Sequence, residues 1–178
     1  MTFKSAAAAA SFSCKASISE VEFKVKHLMI STVTGKFSSY SGDIESSNED
    51  FTEAKISFTA DVKSISTGNE QRDGHLQSDD FFNSESFPQI KFISTGMGKN
   101  KLVGDLTIRD VTKSVELNVE YNGKMNDPYG NTKAGFEVSG KINRSDFDLK
   151  WSATTEAGGI VVSDEVKIIC NIQLIKLA

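Results

Sequence analysis

Arg72, His75 and Asp79 have a spacing at which their side chains could act together. On a helix, residues three and four positions apart lie on the same face. If that face looked into a cavity, the three side chains could bind a polar head group such as a quinone oxygen or a phosphate. The alternative, which we favour, is an Arg72–Asp79 pair that fixes a helical lid with His75 packed beneath it, because charge on a lid is more often structural.

Groups that could carry catalysis are otherwise sparse. His27 and His75 are too few for a histidine metal cluster, and no Gly-x-Ser-x-Gly nucleophile elbow is present. Cys14 and Cys170 have no Cys-x-x-Cys spacing, so they predict neither a zinc site nor a thioredoxin motif. We expect free thiols, although a closed barrel that joins the chain ends would make a disulfide conceivable. We therefore expect no enzyme activity, no metal and no cofactor.

The composition favours β-strands and excludes two classes of partner. The chain has 12 Phe against one Trp and two Pro, and aromatic and β-branched residues suit a pleated, half-buried surface. Its net charge is −4 with the signs interleaved, so no basic block could follow a nucleic acid backbone. No apolar run reaches the roughly 18 residues of a membrane-spanning helix.

Alternation of apolar and polar residues predicts about eight strands. A strand over 12–25 changes phase near Ser19 and Glu20, which indicates a β-bulge. In the strand over 136–142, Gly140 lies in the apolar phase, where a missing side chain relieves crowding or permits a bend. The other predicted strands are 37–45, 54–62, 89–94, 102–109, 115–121 and 166–174. Turns are predicted at Met97-Gly98, Asn122-Gly123 and Asp127-Pro128-Tyr129-Gly130.

Eight strands are too many for one flat sheet with a single solvent-exposed face. Closure of the sheet into a barrel removes its exposed edges. We predict an all-β, eight-stranded antiparallel up-and-down barrel, which is lipocalin-like and just wide enough for a thin ligand. The barrel is expected to be a single domain over 11–178, after a flexible tail over 1–10. Thr67 and Glu70 have capping-box spacing, which predicts one or two short helices between Asn69 and Phe82 over an opening of the barrel.

Three sequence stretches carry a resemblance to a known family. They are Val21–Leu28, Arg72–Phe82 and Gly104–Lys113, and the terminal Ser163–Ile168 is similar too. In these stretches the chain resembles the YceI family, a group of bacterial lipocalin-like proteins that bind polyisoprenoid lipids. The resemblance runs from about Val21 to the C-terminus. One departure is Ile18, which stands where members usually carry the histidine of an Asp-x-x-His-Ser element.

The resemblance implies a barrel that binds, and carries or stores, a long-chain polyisoprenoid or a similar amphiphilic lipid such as an isoprenoid quinone. An isoprenoid tail has no hydrogen-bonding groups, so its binding site needs only apolar surface. Burial of that surface contributes about 25 cal/mol per Å². For each lining position, simple filling of the barrel interior is an equal alternative. The candidate tunnel residues are Phe23, Val25, Ile56, Phe58, Phe92, Leu106, Ile108, Leu117, Val119, Phe136 and Val138.

Two other functions stay open from the sequence. One is a structural or stress-related interaction protein with a solid barrel core and no bound lipid. The other is an enzyme that acts on an isoprenoid derivative. The expected partner is a lipid ligand, with no nucleic acid and no membrane span, and a homodimer is left open. The expected location is cytoplasmic, with a periplasmic or secreted protein as the alternative.

Overall fold

The computed structural model describes residues 12–46 and 50–176, with side chains from 20 onward. The predicted tail over 1–10 lies outside this range, so the division into tail and single domain stays a prediction. The elements in chain order are β1 Phe12–His27, β2 Ser31–Phe37, β3 Tyr40–Ser46, β4 Lys55–Asp61, a 3-10 helix Val62–Ser64, β5 Ile65–Ser66, α1 Glu70–Gln77, β6 Gln89–Met97, β7 Lys101–Ile108, β8 Val111–Asn126, β9 Thr132–Asn143, a 3-10 helix Arg144–Phe147 and β10 Val162–Lys176.

The strands pair antiparallel and curl into a barrel. The order is β10-β9-β8-β7-β6-β4-β3-β1-β2-β5, and β10 also pairs with β1. On its other side β1 pairs with β3 near its start and with β2 near its end. Strands β2 and β3 therefore share one position in the ring. The two residues of β5 pair with the end of β2 on its other side. Ten strands occupy eight positions, which confirms the predicted all-β antiparallel barrel.

The strand predicted over 37–45 is divided in two, and this differs from the expectation. The break lies at Ser38 and Ser39, between β2 and β3. There the backbone hydrogen bonds join the end of β4 and the 3-10 helix that follows it: Ser38 N–H donates to the Ser64 carbonyl at 3.3 Å, and Asp61 N–H donates to the Ser39 carbonyl at 2.9 Å. The break follows from this change of hydrogen-bonding partner, which apolar alternation does not record.

Two local irregularities test the predicted bulge and turns. The register of β1 against β10 shifts between Ile18 and Glu20, which confirms the bulge. Asn122-Gly123 is not a turn, because β8 continues to Asn126 with a bulge at this point and a φ of 114° at Gly123. A residue pair that tolerates positive φ suits a bulge as well as a turn. The hairpin turn lies at Asp127–Gly130, as predicted, with Gly130 N–H donating to the Asp127 carbonyl at 3.0 Å.

One helix is present in the predicted segment, and its cap differs from the prediction. The N-cap of α1 is Asn69, whose side-chain oxygen accepts from Arg72 N–H at 2.9 Å. Thr67 instead donates its backbone N–H and its hydroxyl to one Asp73 carboxylate oxygen, at 2.8 and 2.6 Å. The chain becomes extended at Ser78. From Ser78 to Phe82 the chain makes a series of turns, so α1 is the single helix between Asn69 and Phe82.

Candidate binding cavity

An elongated cavity of about 360 Å³ lies inside the barrel. This volume falls in the usual range of small-molecule sites, about 300–1,000 Å³. Every predicted tunnel residue lies in its wall: Phe23, Val25, Ile56, Phe58, Phe92, Leu106, Ile108, Leu117, Val119, Phe136 and Val138. Their contact with a ligand stays a prediction.

Strand β10 illustrates how alternation builds the wall. Its residues Val166, Ile168, Cys170, Ile172 and Leu174 all line the cavity. At about 3.4 Å per residue, this row extends roughly 27 Å along the strand. A long, narrow, apolar space suits an extended hydrocarbon chain better than a compact polar molecule.

Glycines beside large inward side chains help to keep this space open. The ring of Phe23 lies over Gly35, its pairing partner in β2, where an added Cβ would overlap the ring. The ring of Phe92 lies over Gly104 of the adjacent β7 in the same way. Gly140 accommodates Leu117, which confirms that the missing side chain relieves crowding there. Because these positions have no side chain, their neighbours can lie along the wall.

Cys170 is a free thiol in the cavity wall. Burial raises the pKa of this thiol to about 12. In the β1–β10 register, Cys14 lies opposite Lys176 and Cys170 lies opposite Val21. Six residues of strand correspond to roughly 20 Å, whereas disulfide-bonded Cα atoms lie within about 7 Å. The register therefore excludes a bridge between the two cysteines.

The loop before β4 plugs one end of the cavity. Phe51 is buried there, and its ring meets Phe136 edge-on with centroids 5.2 Å apart. Glu53 N–H donates to the Met97 carbonyl at 2.9 Å, which ties the loop to the end of β6. This end lies near the start of β9 and the end of β10. Apolar groups close it.

Polar groups lie at the opposite end, where β9 ends and β10 begins. Arg144 is only 8% exposed. Its Nη1 donates to the carbonyls of Leu149 at 2.6 Å and Trp151 at 2.8 Å, and its Nε donates to the Ser163 carbonyl at 3.0 Å. Burial lowers the pKa of the guanidinium, and the charge of Asp164 opposes that shift. Arg144 thus holds the 149–151 segment against β10, beside the cavity that it helps to line.

Helix α1 covers this polar end. Arg72 and His75 line the cavity, and the Arg72 side chain donates to Thr67, from Nε to the hydroxyl at 2.7 Å and from Nη2 to the carbonyl at 3.0 Å. His75 Nε2 lies 2.8 Å from Asp80 Oδ2. The His75 ring also packs edge-on against Trp151, with centroids 4.9 Å apart. These contacts hold α1 on the loop that Arg144 positions.

The predicted Arg72–Asp79 pair is wrong. Helix α1 ends at Gln77, and Asp79 is an exposed residue beyond it. Helical spacing from His75 no longer applies after the chain becomes extended at Ser78. Asp80 is the carboxylate that reaches His75, and Thr67 is the partner of Arg72.

Sequence reasoning did not select Arg144, Trp151 or Phe51 as cavity residues. Arg144 begins a 3-10 helix directly after β9, Trp151 lies in the irregular segment after it, and Phe51 lies in a short loop. Segments without a repeating period give no phase from which an inward direction could be inferred. The only feature of the sequence that could have drawn attention to this region is Trp151, the single tryptophan of the chain.

Two further observations concern residues 12–46 and 50–176. They contain no group of three or more His, Cys, Asp or Glu side chains that could hold a metal ion. Over the same residues, no helix has the length and apolar character needed to cross a membrane.

Several known proteins are similar to this chain. The UPF0312 protein SAS2572 of Staphylococcus aureus (strain MSSA476) is 38% identical over 150 residues, which is 84% of this chain and 88% of that protein. The solved structure of a Campylobacter jejuni YCEI protein is 33% identical, with a TM-score of 0.72 over 86% of this chain and 90% of that one.

Two more distant structures share the fold. Burkholderia cenocepacia BcnA is 23% identical, with a TM-score of 0.73 over 86% of this chain and 94% of that one. A polyisoprenoid binding domain from Saccharophagus degradans is 16% identical, with a TM-score of 0.66 over 92% of this chain and 99% of that one. The YceI-like domain model itself matches residues 12–174. This chain therefore belongs to the YceI-like family.

Proposed function

We propose that the barrel binds a long-chain polyisoprenoid, or a similar amphiphilic lipid, with the chain in the cavity and the head group towards α1. The observation that carries the proposal is the elongated cavity of about 360 Å³, whose strand-borne wall is almost entirely apolar. The plug at Phe51 and the polar groups at the other end support this orientation. Membership of the YceI-like family and the similarity to a polyisoprenoid binding domain agree with it.

The apolar chain supplies the affinity in this proposal. Burying about 300 Å² of hydrocarbon contributes roughly 7 kcal/mol at about 25 cal/mol per Å². Without other costs, that free energy corresponds to a dissociation constant of about 10 μM. Contacts to the head group add selectivity, and a longer buried chain adds affinity. The wall needs no reactive group for this task.

A binding protein also fits the polar groups of the cavity better than an enzyme does. Arg144 and Arg72 donate to carbonyl and hydroxyl oxygens of the protein, and His75 contacts Asp80. A thiol becomes a strong nucleophile when its pKa is lowered, whereas burial raises the pKa of Cys170. These side chains have positioning roles, and none has the nucleophile–base arrangement that covalent catalysis uses.

Organic extraction of the purified protein followed by mass spectrometry tests the proposal. We expect a long-chain lipid in a near-stoichiometric amount. The stripped protein should bind the polyprenol solanesol in a titration followed by Trp151 fluorescence, because Trp151 lines the polar end. A clean extract together with a flat titration would favour a solid-core interaction protein.

A pair of tryptophan variants makes the test specific to the cavity. Phe58→Trp enlarges a side chain of the cavity wall, whereas Ile93→Trp enlarges an exposed side chain on the outside of β6. We expect the first variant to lose solanesol binding and the second to retain it. Equal binding by both variants would contradict a ligand inside the barrel.

A further inference from the structure

The loop that joins β1 to β2 exposes three consecutive apolar residues, Leu28, Met29 and Ile30, which we call the tip loop. Met29 is 64% exposed and Ile30 is 86% exposed. Leu28 and Met29 have positive φ values of 52° and 58°, and Ile30 N–H donates to the His27 carbonyl at 3.2 Å. Turns of this kind favour Asn and Gly, which adopt positive φ readily. Neither the turn conformation nor contact with water explains three large apolar residues here.

The tip loop lies at the polar end of the cavity, away from the Phe51 plug. Leu28 N–H donates to the Val161 carbonyl at 2.8 Å. Val161, which accepts this hydrogen bond, and His27, which precedes Leu28, both line the cavity. Ile160, one residue before Val161, is also exposed. Exposed apolar side chains therefore border the end at which we place the ligand's head group.

Three lysines on the outer surface behind the tip loop form a lysine strip: Lys24, Lys26 and Lys167. Lys24 lies directly opposite Lys167 in the β1–β10 register. Like charges directly opposite one another destabilise a sheet. Within the described part of the chain, none of the three makes an ion pair. Among the described residues, the Lys26 ammonium donates only to the Thr32 hydroxyl, at 3.0 Å.

The acidic residues around the lysine strip have other partners. Glu22 lies 2.9 Å from the Lys36 ammonium. Glu165 lies 2.9 Å from the Lys141 ammonium, and Asp164 accepts from the Ser145 N–H and hydroxyl at 3.0 and 2.8 Å. The lysine strip is therefore locally positive in a chain whose net charge is −4.

We propose that the tip loop docks on an anionic phospholipid bilayer, with Ile160 beside it and the lysine strip facing the lipid head groups. Apolar groups of interfacial proteins enter a membrane by about 5–10 Å. Lys26 lies two residues behind Leu28, roughly 7 Å along the strand, which places its ammonium at the depth of the phosphates. In the docked state, the bound lipid exchanges with the bilayer through this end of the cavity. This exchange step rests on the proposed function, whereas docking itself does not.

Vesicle sedimentation of the full chain tests docking. The tip variant, Met29→Gly with Ile30→Ser, removes the two most exposed side chains of the tip loop, and its glycine suits the positive φ of Met29. The matched control is Met125→Ser with Tyr129→Ser, which removes residues that are 69% and 90% exposed near the opposite end of the barrel. On vesicles of phosphatidylcholine with phosphatidylglycerol, we expect the tip variant to partition about tenfold or more weakly. The control should bind like the unmodified chain.

A charge variant tests the lysine strip. Lys24→Gln with Lys26→Gln should weaken binding to the anionic vesicles and make it less sensitive to salt. Failure of the unmodified chain to bind anionic vesicles would overturn the proposal, as would equal binding by the tip variant or an equal loss in the control. If the tip variant instead converts a dimer to a monomer and the unmodified chain ignores vesicles, the surface binds a second copy and docking is wrong.

Delivery of solanesol by two routes separates docking from ligand binding. Added from ethanol, it should bind the tip variant as tightly as the unmodified chain. Supplied in anionic vesicles, it should reach the tip variant about tenfold more slowly. Absence of binding from ethanol in the unmodified chain would overturn the proposed function and the exchange step, while sedimentation still decides docking. Equal transfer rates from vesicles would overturn exchange through the tip loop.

Discussion

At the scale of single residues, the cavity depends on where side chains are missing as much as on where they are present. Phe23 can lie along the wall because Gly35 in β2 leaves room for its ring. Gly104 does the same for Phe92, but an added Cβ there would also lie 2.6 Å from the Ile93 carbonyl oxygen. We therefore expect substitution by alanine to have different effects at Gly35 and at Gly104.

Gly35→Ala should push the Phe23 ring into the cavity. A ring in the cavity takes space from the ligand, and losing roughly 55 Å² of buried hydrocarbon costs about 1.4 kcal/mol, a tenfold change in affinity. We therefore expect solanesol to bind about tenfold more weakly. Gly96→Ala is the control, because nothing lies near an added Cβ at that position. Gly104→Ala should mainly lower the melting temperature, since the backbone cannot yield as a ring can. Unchanged binding by Gly35→Ala would show that Phe23 moves away from the ligand.

Cys170 predicts a pH dependence of stability. In the unfolded chain the thiol ionises near its ordinary pKa of 9.0, whereas burial raises the pKa in the folded barrel to about 12. Between these values the unfolded state has released a proton that the folded state keeps. The free energy of unfolding should therefore fall as the pH rises, by at most about 1.4 kcal/mol per pH unit from this group. Urea unfolding of the unmodified chain and of Cys170→Ala at several alkaline pH values measures it. Equal slopes would mean that Cys170 is accessible to water.

At the scale of elements, the end of the cavity is assembled from segments that hold one another. Thr67 binds both Arg72 and Asp73 of α1. His75 of α1 packs against Trp151, whose carbonyl accepts from Arg144. Helix α1 itself contains no buried residue. These polar and aromatic contacts hold it together with the partly buried Leu76, so we expect α1 to loosen more easily than the strands.

Arg72→Ala distinguishes a lid residue from a head-group ligand. Loss of the two bonds to Thr67 leaves a partly buried carbonyl unsatisfied, so stability should fall by about 1–3 kcal/mol. Exchange should then become faster for every ligand alike. The measurements are the melting temperature and the affinities for solanesyl phosphate and the hydrocarbon squalene, with the exposed neighbour Gln71→Ala as control. Unchanged stability with a selective loss for the phosphate would instead show a charge-assisted hydrogen bond to the head group.

At the scale of the whole molecule, closure of the sheet turns eight rows of inward residues into one continuous wall. The ring closes because β1 pairs with β10 on one side and with β3 on the other. An empty apolar space lowers the stability of a barrel, because its lining loses contacts that a filled core would make. Ligand binding should therefore be visible in the unfolding equilibrium.

Removal of bound lipid should lower the stability of the barrel, and solanesol should restore it. At a free ligand concentration of about 100 times the dissociation constant, linkage predicts a gain of about 2.7 kcal/mol. Chemical unfolding of stripped and reloaded protein measures this gain, and Phe58→Trp is the control in which solanesol should have little effect. A stripped protein that solanesol does not stabilise would favour the solid-core alternative.

The sequence by itself determined most of the strands and the direction of their side chains, although it did not separate β2 from β3 at Ser38 and Ser39. Alternation with a period of two is a property of each strand, so the residues of 54–62 or 166–174 could be assigned to an inner face without knowledge of their neighbours. The bulge near Ser19 was visible for the same reason, because it shifts that phase. All the predicted tunnel residues lie in the cavity wall as a consequence. Helix α1 was also predictable in place, though not in its cap.

Only the tertiary structure decided whether the inward residues fill the barrel or surround a space. That outcome depends on the combined volume of side chains from the whole ring, including pairs such as Phe23 with Gly35 that are distant in the sequence. The tertiary structure also decided that Asp80 contacts His75, that Phe51 closes one end of the cavity, and that Arg144 positions the segments at the other end. These residues lie in turns and irregular segments, where no period assigns a direction and long-range contacts alone place each side chain.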